Sequence, residues 1–298
     1  MQVFQTVARH MSFSRAAEDM ILSQPAVSMH IKHLERVIGL PLFEKVGRRI
    51  RLTEAGERLY HYSQRLFALL QETAEAMDAL RGAEQGHLRV AADTTAGVYV
   101  VPAYLGRFRR AHPQVMVALE VTNRESALER LLLREVDLAV IGQLPSQEEE
   151  LEATPFLVNE LVVIASPDHR LAGRTHIPVQ ELEAETLLMR EPGSGTRATT
   201  ERFFAEAGVQ IRSGMELGSN STIKQAVAHG LGIAVMSRRA IDLEVASGRL
   251  VVLDVEGFPR LRYWHVAQVR DRFLPPPAAA FKALLLAGAR GPDTPAAS

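Results

Sequence analysis

Two groups of residues in this sequence carry chemistry through their type and spacing. In the first, Gln24, Pro25, Ser28, Met29 and Lys32 share one side of a helix whose other side shows Val27, Ile31, Leu34 and Ile38 in steps of three and four. A polar, basic face short of acids can bond to base edges and phosphates in a groove of duplex DNA. Ser23 suits the N-cap, and Pro25 falls in the first turn, where a missing N–H costs little. Downstream, Gly47, Arg48 and Arg49 form a cationic tip between two short apolar runs, a shape suited to phosphate contact. The second group is four loops: Thr94 with Thr95; Gly142 with Gln143; Ser194, Thr196 and Arg197 in the run Gly193 to Arg197; and Asn220 in the run Ser219 to Thr222. Hydroxyls, amides and free N–H groups with one cation and, apart from Asp93, no acid suit a small anion, carboxylate or phosphate, with Arg197 as charge partner. Each loop alone reads more readily as an ordinary helix cap than as a ligand contact, and only their convergence on one cleft favours the ligand for the set; Arg197 can as easily pair with Glu201 one turn on.

The surrounding elements must position both groups. Ser14 can cap a short helix through Met20, and Ile21-Leu22-Ser23 links it tightly to the next, giving a helix-turn-helix. From Glu54 to about Arg81 the chain lacks proline and reads as one helix capped by Thr53. Its residues Leu59, Tyr62, Leu66, Leu69, Thr73, Ala76 and Leu80 form an a/d seam. Such a seam serves dimerisation or packing along the chain's own body. Gly82 to Gly86 reads as a hinge. Beyond it, strands and helices alternate, as in a mostly parallel sheet with right-handed crossovers. The expected fold is α/β. The expected domains are a winged helix-turn-helix over 1–56 and a linker helix and hinge over 57–86, then an effector lobe I over 87–163 and 267–290, a lobe II over 164–266, and a loose tail over 291–298. Ligands in such sheets sit beyond the carboxyl ends of strands, where the four loops would converge on the cleft between the lobes.

Composition excludes several functions. With 298 residues, 47% of them hydrophobic, the chain can form two to three compact domains. The net charge of -1 argues at first against a nucleic-acid partner, but residues 1 to 65 hold ten Lys or Arg against six acids, so the chain is electrostatically divided. The absence of cysteine removes disulfides, thiolate-bound zinc and thiol redox chemistry. No signal-like or membrane-length apolar run is present, so no membrane partner and a cytoplasmic location are expected. Gly193-Ser194-Gly195-Thr196 lacks the ending of an NTPase phosphate loop, and Gly230-Leu231-Gly232 lies in the wrong place for a dinucleotide fingerprint. His30 and His33 have no third ligand nearby, and no catalytic triad can be placed. Neither a catalytic residue, a metal nor a cofactor is expected.

Ser14-Arg15-Ala16-Ala17, Ser23-Gln24-Pro25-Ala26-Val27-Ser28, Gly39-Leu40-Pro41-Leu42-Phe43 and Leu52-Thr53-Glu54-Ala55-Gly56, in that order, resemble the winged helix-turn-helix of LysR-type transcriptional regulators. Met29 stands where many members carry a basic residue, which leaves base and phosphate contact to Gln24, Pro25, Ser28 and Lys32. The resemblance implies a type-2 periplasmic-binding-protein effector domain, promoter DNA as partner, assembly into dimers and tetramers, RNA polymerase as an optional partner, and a small-molecule effector in the cleft. Ser28-Met29, Ala92 to Gly97 and Arg190 to Arg197 are similar to regulators of carbon-fixation operons, which sense phosphorylated sugars, acids or NADPH. The competing reading is a solute-binding or enzymatic α/β protein with an N-terminal dimerisation module.

Overall fold

The computed structural model describes residues 1–47, 49–80, 86–142 and 149–288. By internal contacts the chain divides into a unit built on Met1–Met77 and a larger unit comprising Asp78–Leu132 and the chain from Val136 onward.

In the first unit α1 (Gln2–His10), α2 (Phe13–Asp19) and α3 (Gln24–Ile38) precede a hairpin of β1 (Phe43–Val46) and β2 (Arg49–Leu52), and α4 (Glu54–Leu80) follows. Phe4, Val7, Ala16, Ala17, Val27, Ile31 and Leu42 form the core. The two alanines of α2 are what let α1 and α3 approach it closely. The cap of α2 is Ser12, whose hydroxyl accepts the Arg15 N–H, and not Ser14 as the sequence suggests. Ser23 caps α3 by accepting the Ala26 N–H, and Gly39 ends that helix in the left-handed conformation, φ 78°. The Glu35 carboxylate accepts the Leu42 and Phe43 N–H groups, so α3 holds the root of the hairpin directly. Thr53 donates to the Pro41 carbonyl at 2.6 Å and accepts the Gly56 N–H at 3.0 Å, fixing where α4 begins. Only glycine fits at 56, because a Cβ there would lie 2.1 Å from the Leu42 carbonyl oxygen. Along α4, Leu59 of the expected seam packs against this core, whereas Tyr62, Leu66 and Leu69 are exposed at 66%, 48% and 47%.

The second unit begins with β3 (Gly86–Asp93), α5 (Thr94–Tyr99), α6 (Val101–Ala111), β4 (Val115–Thr122), α7 (Arg124–Leu132) and β5 (Leu138–Ile141). The long β6 (Leu151–Ala165) leads to β7 (Thr186–Met189), α8 (Gly195–Glu206), β8 (Arg212–Glu216), α9 (Asn220–Ala228), β9 (Ala234–Ser237), α10 (Asp242–Ala246) and β10 (Val251–Leu253). Then β11 (Arg260–Val269) returns and α11 (Pro276–Gly288) closes the described chain. The main sheet has the order β10-β6-β11-β5-β3-β4, with β9 also on β6, while β7 and β8 pair separately. β3 is parallel to β4 and β5, and β11 runs antiparallel to β5 and β6. β5 is buried at all four positions, as a parallel strand covered on both faces must be.

Two lobes result, each with its own cores. Lobe I packs Leu88, Val90, Phe108, Leu138, Phe156, Trp264 and Phe281 together. Lobe II packs Leu161, Val163, Leu187, Phe203, Phe204 and Ile233. β6 and β11 run through both, side by side, with a register shift between Trp264 and His265. Phe156 and Trp264 belong to the lobe I core and Leu161 to that of lobe II, so the crossing lies a few residues before the expected boundaries at 163/164 and 266/267. The sequence shows only the apolar end of β6, because Glu152 to Leu157 mixes exposed, half-buried and buried positions without a continuous apolar run. Of the expected hinge at Gly82 to Gly86, the last residue is already the first of β3, paired with Val115, while 82–85 and the tail 291–298 lie outside the described residues.

Candidate functional site

On the first unit, the outer face of α3 exposes Gln24, Pro25, Met29, Lys32 and Arg36, with Ser28 half-buried between them. Gln24 donates to the Ser28 hydroxyl at 3.0 Å, so these two side chains form one polar patch at the leading end of the helix. Met29, 63% exposed, offers an apolar surface of the kind that meets a thymine methyl. In the hairpin, Val46 pairs with Arg49 across the tip, which puts Arg49 in solvent. Arg48 lies outside the described residues. Lys45 and Arg51 on the same hairpin are also exposed, cations that strand pairing rather than any motif brings to the wing.

In the second unit the cleft holds a small cavity lined by Asp93, Thr94, Thr95, Asn123 and Arg124 from lobe I and by Arg190, Ser194, Gly195 and Thr196 from lobe II. Asp93 has both oxygens engaged, accepting the Ala96 and Gly142 N–H groups at 2.8 and 2.6 Å, and its charge acts on the Arg262 guanidinium. Thr94 donates to the Thr122 carbonyl at 3.0 Å and so ties β3 to β4 at the cavity rim. The Thr95 hydroxyl accepts the Asn220 amide at 3.2 Å across the lobes. Asn220 in turn accepts from Arg190 at 2.6 Å, which fixes the orientation of its amide. Of the expected effector residues, Thr94, Thr95, Ser194 and Thr196 line the cavity, and Asn220 is bonded to two residues that do. Gly142 stands behind it, where a Cβ would lie 3.1 Å from the Arg262 guanidinium carbon. Gln143 lies outside the described residues.

Arg197 departs from expectation. Its Nε bonds to Glu201, and its Nη1 bonds to Glu216 and to the Arg190 carbonyl. It therefore faces its own helix and β8 and does not line the cavity. The one-turn pairing with Glu201 wins because both partners are pre-positioned on one helix. The cations at the cavity are instead Arg124, Arg190 and, behind it, Arg262. Arg262 donates from Nη1 to the Gly195 carbonyl and the Thr199 hydroxyl and from Nη2 to the Thr196 hydroxyl. Burial pulls its guanidinium down to about 10, with Arg124 and Arg202 adding to that and Asp93 opposing it, so it remains charged at neutral pH. Arg124 follows a strand end and was within reach of the loop rule. Arg262 sits mid-strand, where no local signal marks it.

Hydroxyls, amides and guanidinium groups with no nucleophile and base pair among them can hold an oxyanion and select its shape. Among the described residues no group of three His, Asp or Glu side chains could hold a metal ion, and no helix is long and apolar enough to cross a membrane.

Known proteins share both units. The family described as bacterial regulatory helix-turn-helix protein, lysR family, matches residues 1–57, and the LysR substrate binding domain matches residues 81–290. A RuBisCO operon transcriptional regulator of Allochromatium vinosum is 46% identical over 97% of this chain and 95% of its own length. The Synechocystis PCC6803 CcmR regulatory domain, solved in complex with 2-PG, is 41% identical and superposes with a TM-score of 0.66, covering 70% of this chain and 99% of that one. A full-length OxyR variant of Pseudomonas aeruginosa is 26% identical with a TM-score of 0.71, over 97% of this chain and 93% of that one. A helix-turn-helix with a wing, a two-lobed binding domain and these two family matches together place the chain in the LysR family: it belongs to the DNA-binding transcriptional regulators and is not an enzyme.

Proposed function

We propose that this regulator acts on the promoter of a carbon-fixation operon and that a small anionic metabolite, a phosphate or carboxylate such as 2-PG, sets how it holds that DNA. The observation that carries the ligand reading is the cavity itself: arginines and hydroxyls from both lobes surround one space, and the only acid among its described lining residues is saturated by backbone N–H groups. The RuBisCO operon regulators among its relatives and 2-PG in the CcmR regulatory domain support the same assignment. The exposed stripe of α4 supports pairing with a second copy, and a dimer of dimers would place two pairs of α3 helices on promoter DNA in the cytoplasm, beside RNA polymerase.

The ligand acts only through a difference in affinity between two states of the assembly; a tenfold difference corresponds to about 1.4 kcal/mol. Gel-shift titration of the purified protein on DNA upstream of RuBisCO genes, with and without 2-PG, tests this. Salt-sensitive, sequence-specific binding whose pattern changes with 2-PG is the expected outcome. Specific binding that no phosphate or carboxylate alters would remove the ligand part, and no specific binding at that promoter would remove the operon.

A further inference from the structure

Among the described residues four arginines surround the cleft, and their bonding separates them sharply. Arg197 is spent on Glu201, Glu216 and a backbone carbonyl outside the cavity. Arg190 is buried, and its Nε and Nη2 grip the two oxygens of Glu191 at 2.7 and 2.8 Å while Nη1 holds Asn220. That fork is already closed on a carboxylate from its own chain, so an incoming anion meets a neutralised pair. Arg262 spends both terminal nitrogens on the opening turn of α8. Arg124 differs from all three. Its Nε, like that of Arg262, is shielded from solvent with no hydrogen-bond partner, but Arg124 lines the cavity from the start of α7, and among the described residues its terminal nitrogens form no hydrogen bond or ion pair, whereas those of Arg262 are taken by α8.

A buried N–H donor without an acceptor is costly, and a protein retains one chiefly where something else completes it. Opposite Arg124 stand groups of matching use. The side chain lies 3.4 Å from where a Cβ on Gly195 would be, so α8 presents its first backbone turn to Arg124 with no side chain between. Ser194 precedes that helix without capping it, which leaves the hydroxyl to point elsewhere. Lobe I thus supplies the cation and lobe II the backbone and hydroxyl donors.

We infer that Arg124 is the residue that takes the charged group of the ligand, bridging it from lobe I to the Ser194–Thr196 turn of lobe II, and that Arg190 is a positioning residue held by Glu191 and holding Asn220. This rests on the anion reading proposed above and adds which side chain takes the charge: the ligand's oxyanion group must be compact enough to bind a single guanidinium and one helix turn together. A ligand bound only through Arg190 would have to displace Glu191 first.

Calorimetric titration of the full-length protein with 2-PG and, separately, with inorganic phosphate tests the assignment. R124Q should weaken whichever probe binds by at least tenfold, R124K should fall between R124Q and the parent, and R197Q should stay within twofold. If R124Q binds as the parent does, the assignment is wrong. If E191Q tightens binding more than tenfold while R124K is silent, Arg190 is the anion's partner instead and the assignment is again wrong. If R124Q does not give the parent's circular dichroism and unfolding curve, R124K and the ionic-strength dependence of parent binding decide, since a ligand held by a free cation must weaken with salt. No saturable binding of either probe to the parent overturns the anion reading itself, a result distinct from all of these.

Discussion

The Asn220 amide donates to the Thr95 hydroxyl at 3.2 Å while its oxygen accepts from Arg190 at 2.6 Å, so one buried side chain joins the first turn of α5 in lobe I to the end of β7 in lobe II. Replacing Asn220 with alanine strips a charged donor of its acceptor in a buried place, a loss of about 1–3 kcal/mol. Ligand affinity, read by titration with 2-PG, should fall about tenfold or more. Thr95→Ala removes only the weaker, neutral bond and should cost less. Equal losses in the two variants would mean that the chain from Thr95 to Arg190 does not work as a unit.

A second prediction concerns the wing. Arg49 stands in solvent beside the hairpin tip and forms no fixed ion pair among the described residues, which suits a phosphate contact. Arg49→Ala should weaken DNA binding at all sequences alike and reduce the slope of log K against log salt by about 1. Ser28→Ala should instead change sequence preference, because it removes a group bonded to Gln24 on the face that meets base edges. Competition gel shifts with single-base operator variants separate the two behaviours.

Gly56→Ala tests how the first unit is built. With the Leu42 carbonyl oxygen 2.1 Å from the new methyl group, α4 or the root of the hairpin must shift. Overpacking of this kind costs about 1–3 kcal/mol. DNA binding should fall sharply while 2-PG titration of the same protein stays near the parent value, since the cavity is built wholly from the other unit. Parallel loss of both would show that the two units do not fold separately.

His265 gives a pH prediction. Its burial beside the crossing lowers its pKa below the ordinary 6.5, with a backbone bond at Tyr263 opposing weakly. In the unfolded chain the ring takes a proton near 6.5, whereas the folded protein refuses it until a lower pH. Stability is therefore full above 6.5, falls as pH drops from there toward the folded value, and changes no further through this group below it. Urea unfolding at about pH 7.5 and about pH 5.5 should show a smaller difference for His265→Gln than for the parent. An unchanged difference would assign the acid sensitivity to other groups.

The parts legible in the sequence were those that repeat or punctuate. The stripe of Val27 and Ile31, Ser23 at the start of α3, and Thr53 before α4 each state a local rule that the fold obeys. The misplaced cap shows the limit of such rules. Ser12 and Ser14 are equal candidates by type, but Ser12 takes the cap, and Phe13 between them packs its ring 5.6 Å from that of Phe43, a contact thirty residues away that no local rule contains. The loops after strands likewise announced Thr94, Thr95, Ser194 and Thr196, because hydroxyls before helices are visible in one dimension. The charges were not. The pairing of Arg197 with Glu201 one turn on was visible, but Glu216, which also holds Arg197, is nineteen residues distant, and Arg262 reaches the Gly195 carbonyl across sixty-seven. Arg124 follows a strand end, where the loop rule could have found it, but it opens Arg-Glu-Ser, a run that looks like any solvated helix face until Gly195 is set beside it.

The crossing strands have one more consequence. Val158 on β6 and Tyr263 on β11 are register partners, so the chain leaves lobe I and comes back to it at neighbouring positions. Everything between them, including Arg190, Ser194, Thr196 and Asn220, is therefore a single insert with adjacent ends, a cassette plugged into lobe I. Exchanging residues 158–263 for the same stretch of a relative would change half of the ligand's contacts without touching the segment that joins lobe I to the long helix. New chemical inputs to the same promoter are thus within reach of one recombination event, provided that the strand pair on either side of the join keeps its register.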